Sequence, residues 1–199
     1  GVVTHRNRAP VDDLMAKGAT EAAGAYALAR DCDMVILCVT GSPQVEQMVY
    51  GEYGLLGAVR PGFIIADCST AEPHSTVKIA KDVEAKGGWF IDTPMTRTPK
   101  EAEAGKLNVM VGADSAVFAR LEPVLQTFAE NIMHVGGPGA GHTIKLLNYF
   151  IAQAICTATA EAFAVGQRAG IDPKALVDLV GKGLVNSGIF QAPSVGVSL

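Results

Sequence analysis

Short apolar runs alternate with helical patterns along about the first two thirds of the sequence. The runs that predict strands are residues 2–4, 34–39, 63–67, 89–92, 108–111 and 132–135, and the patterns that predict helices are residues 11–17, 22–30, 43–50, 73–86 and 115–128. Such alternation is typical of a parallel sheet whose strands are joined by crossover helices. It predicts an α/β fold with a doubly wound, Rossmann-type sheet.

The pattern changes after Gly141. The sequence has no Pro or Gly from there to Gly166 and is rich in Ala, Ile and Leu, which predicts one long helix. Apolar residues lie on nearly every face of that helix, so we expect other helices to enclose it. Asp172 and Pro173 then suit the N-cap and first position of a further helix. We therefore predict a Rossmann-like domain over residues 1–137 and the start of an all-α domain over residues 138–199.

A doubly wound nucleotide-binding sheet begins with a strand, a G-x-G-x-x-G turn and a helix, and this sequence contains no such motif. If residues 2–4 form the second strand, roughly 20 or more residues that hold the first strand and the glycine-rich loop are missing before Gly1. The other end stops just as the helical domain begins. We therefore expect both domains to be incomplete in this chain.

Composition narrows the class of protein. The 199 residues are 49% apolar and carry a net charge of −4 without long charge runs, which disfavours nucleic-acid or membrane-surface partners. The four cysteines lie far apart without C-x-x-C spacing, so we expect buried free thiols and no metal site. No apolar stretch was expected to reach the roughly 20 residues that cross a bilayer, and no signal peptide is evident. These observations predict a cytoplasmic protein.

The glycine-rich segment 136–141 and the helix after it form the strongest local signal. Glycines let two backbones approach closely, and the segment leads directly to Lys145. Asn148 lies one turn further along the same helix face, so both side chains can point at one small ligand. An amine on an otherwise apolar helix is a candidate general acid/base. The alternative is a surface lysine whose stem packs on the domain while its amine reaches water.

Polar residues also follow two of the predicted strands, at the edge where open α/β sheets collect ligands. Ser69 follows the strand at 63–67, and Thr96, Arg97 and Thr98 follow the strand at 89–92. Hydroxyls and a guanidinium suit a carboxylate or another anion, since Arg binds such groups bidentately. The alternative is a cluster of capping and turn residues, which has the same composition.

The segment after residues 2–4 reads His5, Arg6, Asn7 and Arg8, without an acid that could meet the cofactor ribose 2′-hydroxyl. Basic residues there favour a 2′-phosphate, and hence NADP over NAD. A solvated basic loop has the same sequence pattern.

Together these segments resemble the β-hydroxyacid dehydrogenase family, which includes 3-hydroxyisobutyrate dehydrogenase, tartronate semialdehyde reductase and sulfolactaldehyde reductase, with 6-phosphogluconate dehydrogenase as a larger cousin. The resemblance is carried by residues 67–70, 104–112, 139–145, 161–164 and 170–173. It implies a nicotinamide-binding Rossmann domain, a helical domain with dimer contacts, and an active site in the cleft between them.

The resemblance also implies roles for individual residues. Lys145 matches the family's catalytic lysine, which takes the hydroxyl proton as hydride leaves for the nicotinamide and returns it in reduction. Val39 and Thr40 match positions whose backbone lies against the cofactor, Thr70 matches a further cofactor contact, and Ser69 beside it is expected to contact substrate. The basic segment His5, Arg6 and Asn7 is expected to lie near the cofactor ribose.

Three departures from the family pattern concern the site. Most members have Ser-Gly-Gly where this chain has Thr96, Arg97 and Thr98, so the substrate cradle is changed and Arg97 is a candidate ligand for a sulfonate, carboxylate or phosphate. The helix pattern Lys-x-x-Asn-Asn ends here in Asn148 and Tyr149, and the phenol reaches further than the amide. The missing glycine-rich loop should weaken pyrophosphate binding to this chain.

The predicted function is a hydride transfer between NADP or NAD and a small anionic 3-hydroxyacid or its semialdehyde, in a homodimer or homotetramer. One alternative is a non-catalytic nucleotide-binding or reader module of the same fold. Another is an inactive truncated fragment.

Overall fold

The computed structural model describes residues 2, 3 and 7–191. By compactness the chain divides into residues Gly1–Lys145 and Leu146–Leu199. This division falls inside the long helix, after its first turn, whereas the sequence pattern places the domain boundary at residue 137. The contacts that hold this first turn against the sheet, described below, explain the difference.

Eight strands and eight helices make up the described part of the chain. The strands are β1 (Val2–Val3), β2 (Thr20–Glu21), β3 (Met34–Leu37), β4 (Ile64–Asp67), β5 (Trp89–Asp92), β6 (Met95–Thr96), β7 (Leu107–Gly112) and β8 (Ala129–Gly136). The helices are α1 (Arg8–Ala16), α2 (Ala25–Asp31), α3 (Ser42–Tyr50), α4 (Pro73–Glu84), α5 (Pro99–Glu103), α6 (Ser115–Leu125), α7 (Ala140–Arg168) and α8 (Pro173–Lys182), with a short 3₁₀ turn at Leu55–Ala58.

Three neighbouring strands of the larger sheet are parallel. Strands β3, β4 and β5 are parallel and in register, so Leu37, Asp67 and Asp92 lie side by side at their carboxyl ends. Strand β7 runs antiparallel to β5 and β6 and parallel to β8. Strands β1 and β2 form a separate parallel pair. The predicted α/β fold is confirmed, and the antiparallel β7 departs from an all-parallel sheet.

Strands β4 and β5 are buried on both faces of the sheet, as expected for parallel strands covered by helices. Side chains alternate between two cores: Ile65 and Phe90 pack in one, and Ile64, Ala66 and Ile91 pack in the other. All four residues of β4 are buried, which explains why this strand is a continuous apolar run up to its final aspartate. That aspartate is the first residue of the site described below.

The second unit contains most of α7 and the whole of α8. Asp172 is the N-cap of α8, as predicted, since its carboxylate accepts the Lys174 backbone N–H at 2.9 Å. Helix α7 runs through Gly166, and its side chains Leu147, Phe150 and Ile151 are exposed, so the expectation that other helices enclose it is wrong for the described residues.

By length and composition, α7 is apolar enough to cross a membrane. The expectation that no apolar stretch reaches that length is therefore wrong. Length and composition are weak evidence for a membrane span, because an enclosed helix of a globular protein has the same properties.

Candidate active site

Two buried aspartates end the neighbouring strands β4 and β5. Asp67 and Asp92 are both fully buried. Asp67 Oδ1 accepts the backbone N–H of Ser69 at 2.9 Å, and Asp67 Oδ2 has no hydrogen-bond partner among the described residues. Burial raises the pKa of Asp67, because the charged form loses its hydration, and the Ser69 donors and His142 act in the opposite direction.

Asp92 holds the start of helix α7 against the sheet. Its two oxygens accept the backbone N–H groups of Gly139 at 2.8 Å and His142 at 2.7 Å. These are N-terminal N–H groups that the helix itself leaves unpaired, and the positive end of the helix dipole favours a carboxylate there. Burial raises the pKa of Asp92, and the two N–H donors oppose that shift.

The glycines around Asp92 make this close approach possible. A Cβ at Gly112 would lie 2.3 Å from Asp92 Oδ1, and a Cβ at Gly141 would lie 2.6 Å from the Met110 carbonyl oxygen. Neither position has room for a side chain. The glycine-rich segment therefore brings two backbones together, as the sequence indicates.

His142 joins the helix to two other segments. It is fully buried; its Nε2 lies 3.1 Å from the Ser69 carbonyl oxygen, and its Nδ1 lies 2.7 Å from Thr76 Oγ1. A carbonyl oxygen can only accept, so Nε2 must carry a proton and donate to Ser69. No prediction from the sequence gives a role to His142, Asp67, Asp92 or Thr76, although an aspartate at the end of each buried strand is a visible signal.

Lys145 lies one helical turn after His142 and is 4% exposed. Its Nζ donates a hydrogen bond to the carbonyl oxygen of Met95 in β6. The amine is thus turned toward the sheet edge and away from bulk water, unlike that of a surface lysine. A buried amine on the first turns of a helix, beside the strand ends, is the arrangement that acid/base chemistry at this edge requires.

Three of the residues expected at the cofactor, Val39, Thr40 and Thr70, follow neighbouring strands at the same edge. Thr40 is exposed, Thr70 is half-buried, and the Thr70 carbonyl oxygen lies 3.7 Å from a Cβ built at Gly41. The Val39 backbone N–H donates to Ser69 Oγ at 2.9 Å. Ser69 is 2% exposed, and its hydroxyl accepts this bond, so the expected contact of Ser69 with substrate stays a prediction.

The cysteines are free thiols in the structure, but only Cys68 is buried, and Cys38 is exposed. Burial raises the pKa of Cys68 to about 12. The expectation of buried thiols therefore holds for Cys68 and is wrong for Cys38.

The segment expected to bind the substrate anion is held by internal contacts. Arg97 has a positive φ of 84°, and its guanidinium donates to the Lys106 carbonyl oxygen and to the Glu130 carboxylate. This pairing lowers the pKa of Glu130. An anion that binds Arg97 must therefore compete with Glu130.

The two threonines beside Arg97 also have structural partners. Thr96 Oγ1 accepts from Asn108 Nδ2 at 3.3 Å. Thr98 caps α5, since its backbone N–H donates to Glu101 Oε2 at 3.0 Å and its hydroxyl donates to the same carboxylate. For Thr98 the structure thus has the capping arrangement that the sequence left open as an alternative.

The remaining candidates lie in the second unit and at the N-terminus. Asn148 and Tyr149 follow Lys145 by one turn on α7, and both are exposed. His5 and Arg6 lie outside the described residues, and Asn7 Oδ1 accepts the Ala9 N–H at 3.4 Å as the N-cap of α1.

Arg8 forms ion pairs with Asp12 at 2.7 Å and Glu21 at 2.6 Å. Two carboxylates therefore balance its charge, so Arg8 gives no support to the predicted preference for NADP.

Parallel strands that end at one edge, with a helix N-terminus and a buried lysine beside them, define a Rossmann-type dinucleotide-binding protein. Residues 2–136 match the NAD-binding domain of 6-phosphogluconate dehydrogenase, and residues 139–195 match the NAD-binding domain of NADP-dependent 3-hydroxyisobutyrate dehydrogenase. The chain belongs to this family of dehydrogenases, which confirms the resemblance, the fold class and NAD or NADP as the cofactor.

Similar proteins are identical to this chain at about a third of the aligned positions. The chain is 34% identical over 184 residues to 2-(hydroxymethyl)glutarate dehydrogenase of Eubacterium barkeri, covering 92% of the chain and 61% of the relative. It is 33% identical over 180 residues to 2-hydroxy-3-oxopropionate reductase of Escherichia coli, covering 90% of the chain and 62% of the relative. The chain thus spans about 60% of the length of these curated relatives.

A solved structure of 3-hydroxyisobutyrate dehydrogenase from Mycobacterium tuberculosis, with L-serine, has the same fold. It matches with a TM-score of 0.83 and 27% identity, over 92% of this chain and 63% of that one.

Proposed function

We propose that this chain carries the cofactor-binding and acid/base residues of an NAD(P)-dependent oxidoreductase that interconverts a small 3-hydroxyacid and its semialdehyde. The observation that carries the proposal is Lys145, a buried amine directed at the strand edge. The relatives' names support the substrate class, because 2-(hydroxymethyl)glutarate is a 3-hydroxyacid and 2-hydroxy-3-oxopropionate is an aldehyde of the matching kind. We further propose a cytoplasmic homodimer or homotetramer without nucleic-acid or membrane partners.

The strand-end residues fit a dinucleotide. Val39, Thr40 and Thr70 lie just beyond the carboxyl ends of adjacent parallel strands, where open α/β sheets bind nucleotides, and Thr40 is exposed. When bound, the nicotinamide ring accepts a hydride in the oxidation direction and donates one in the reduction direction. We propose that His5, Arg6 and Asn7 contact the ribose, where Arg6 favours NADP.

Lys145 supplies the proton transfer. In oxidation, Lys145 Nζ takes the hydroxyl proton as the hydride leaves the carbon that bears the hydroxyl group. In reduction, the same amine returns a proton to the carbonyl oxygen. The Met95 carbonyl accepts one N–H of the amine and so fixes its direction.

The substrate's acidic group requires donors near this amine. We propose that Ser69, Thr96, Arg97, Thr98, Asn148 and Tyr149 contribute to substrate binding. Arg97 would release Glu130 when it binds the anion, since the two side chains are paired without ligand. The Arg97 guanidinium suits a carboxylate, sulfonate or phosphate.

The test follows the absorbance of the reduced nicotinamide in the full-length protein with a panel of small 3-hydroxyacids and semialdehydes. Lys145→Met should lower kcat by on the order of 10²-fold or more, because an acid/base group is removed. Lys78→Met, at an exposed lysine of α4, is the matched control and should leave kcat unchanged. Equal turnover by Lys145→Met and wild type would contradict the proposed role.

One observation favours a second function. Tyr149 stands where the family pattern has an asparagine, and it is 46% exposed. A non-catalytic nucleotide-binding or reader module would bind NADP or NAD without turning over any member of the panel. Wild-type turnover of a single substrate would exclude that function.

A further inference from the structure

We propose that His142 is a positioning residue, which holds the helix of Lys145 in register with the strand ends that receive the cofactor. The inference rests on the proposed function of Lys145. His142 is fully buried, so it touches neither substrate nor cofactor and acts only through its neighbours. It lies three residues before Lys145, on the same face of α7.

The imidazole connects three segments of the chain. Its Nε2 donates to the Ser69 carbonyl oxygen, just after β4, and its Nδ1 pairs with Thr76 in the first turns of α4. Its own backbone N–H donates to Asp92 at the end of β5. A small rotation of α7 would therefore break contacts with the sheet and with α4 together.

Ser69 passes this connection on to the cofactor edge. Its carbonyl oxygen accepts from His142, and its hydroxyl oxygen accepts from the Val39 backbone N–H at 2.9 Å. Val39 lies two residues after β3, in the segment whose backbone we assign to the cofactor. Lys145, His142, Ser69 and Val39 thus form one continuous link between the acid/base and the cofactor.

The electrostatic surroundings explain why this position requires a polar ring. Asp67 Oδ2 lies 4.0 Å from His142 Nε2, and Asp92 Oδ2 lies 4.0 Å from Nδ1. Burial raises the pKa of both carboxyls, and His142 opposes this shift in each case. An apolar side chain would leave the Ser69 carbonyl without its donor and the two carboxyls without their polar neighbour.

Two conservative variants separate the two ring contacts. The amide nitrogen of Gln can occupy the place of Nε2, so His142→Gln keeps the bond to Ser69. The shorter His142→Asn can replace only Nδ1, so it keeps Thr76 and loses Ser69. Because the link to Val39 runs through Ser69, the Gln variant should retain activity that the Asn variant loses.

The experiment measures kcat, KM, the pH profile and the thermal midpoint of both variants in the full-length protein. We expect His142→Asn to lower kcat by on the order of 10²-fold, as a displacement of about 1 Å does, and His142→Gln by less than about 10-fold. The KM for the cofactor should change little in both. Ser75→Ala removes the buried bond to Glu46 in the α3–α4 pair and is the control for a loss of stability alone.

Equal losses of kcat in the two His142 variants, or losses that follow the thermal midpoint as in Ser75→Ala, would overturn the proposal. A wild type without turnover would instead count against the proposed function. In that case NMR of isotope-labelled lysine still tests the positioning role of His142. The Lys145 signal is assigned through Lys145→Met. A shift of this signal in His142→Asn but not in His142→Gln supports the positioning role, and an unchanged signal in both overturns it.

Discussion

Arg97 adopts a backbone conformation that ordinarily belongs to glycine, and the energetic consequence can be measured. Its φ of 84° lies in the left-handed region, where a side chain costs roughly 1–2 kcal/mol per residue. The Arg97 side chain offsets part of the cost through its bonds to Glu130 and the Lys106 carbonyl oxygen.

Comparing Arg97→Gly with Arg97→Ala isolates the backbone contribution, because both variants lose the same guanidinium contacts. Alanine keeps the strain of roughly 1–2 kcal/mol. Glycine removes that strain but loses roughly 0.5–1 kcal/mol through the greater freedom of the unfolded chain. The Gly variant should therefore be more stable than the Ala variant by about 0.5–1 kcal/mol.

Urea unfolding of the two variants measures this difference directly. The control is the same pair of substitutions at Lys78, an exposed interior position of α4, where glycine should be less stable than alanine by about 1 kcal/mol. The expected result is thus a reversal of sign between positions 97 and 78. If Arg97→Gly were less stable than Arg97→Ala, the strain at the positive φ would be smaller than the entropy cost of glycine, and the reasoning would be refuted.

Two further predictions concern the buried carboxyls. Gly141→Ala places a Cβ 2.6 Å from the Met110 carbonyl oxygen and should lower the free energy of unfolding by about 1–3 kcal/mol in the same urea assay. The control is Gly137→Ala, whose Cβ would have nothing within 4 Å, and it should change the free energy of unfolding by less than about 0.5 kcal/mol. Burial raises the pKa of Asp67, so the protonated carboxyl favours folding at pH values below its ordinary pKa. This contribution to the free energy of unfolding is lost as the pH rises through the raised pKa. The stability of Asp67→Asn relative to wild type should therefore increase with pH above about 4. Asp178→Asn should instead lose stability relative to wild type as the pH rises to about 4 and change little above it, since Lys174 lowers the pKa of Asp178; a rise above pH 4 like that of Asp67→Asn would contradict the assignment.

The central strands and the long helix could be predicted because their signals are local. A buried strand such as β4 is a continuous apolar run, and α7 is a long segment without Gly or Pro between positions 141 and 166. Strands β2 and β6 have two residues each, which is too short for a period of two to be visible. The antiparallel direction of β7 depends on the connection between β6 and β7, residues 97–106, where no sequence pattern indicates strand direction.

In the candidate site, too, residues with local sequence signals could be predicted, and residues whose partners are distant in the sequence could not. Lys145 could be predicted from the sequence because a glycine-rich turn precedes it and a helical pattern surrounds it. The partners of Arg97 are not visible, because Glu130 lies 33 residues away and only the β7–β8 pairing brings it close. His142 is 73 residues from Ser69 and 66 from Thr76, so its hydrogen bonds likewise depend on the tertiary fold.

The buried polar groups at the strand edge also constrain how this site can change. Asp92 lies in a space left by two glycines and satisfies the backbone N–H groups that begin α7. The same first turn carries His142 and leads to Lys145, so the residues that stabilise the helix start also set the direction of the amine. Because buried polar groups are costly when their partners are lost, a substitution at this edge should affect folding and catalysis together. Substrate preference can vary more freely at the half-exposed Arg97–Glu130 pair, whose contribution to stability is small.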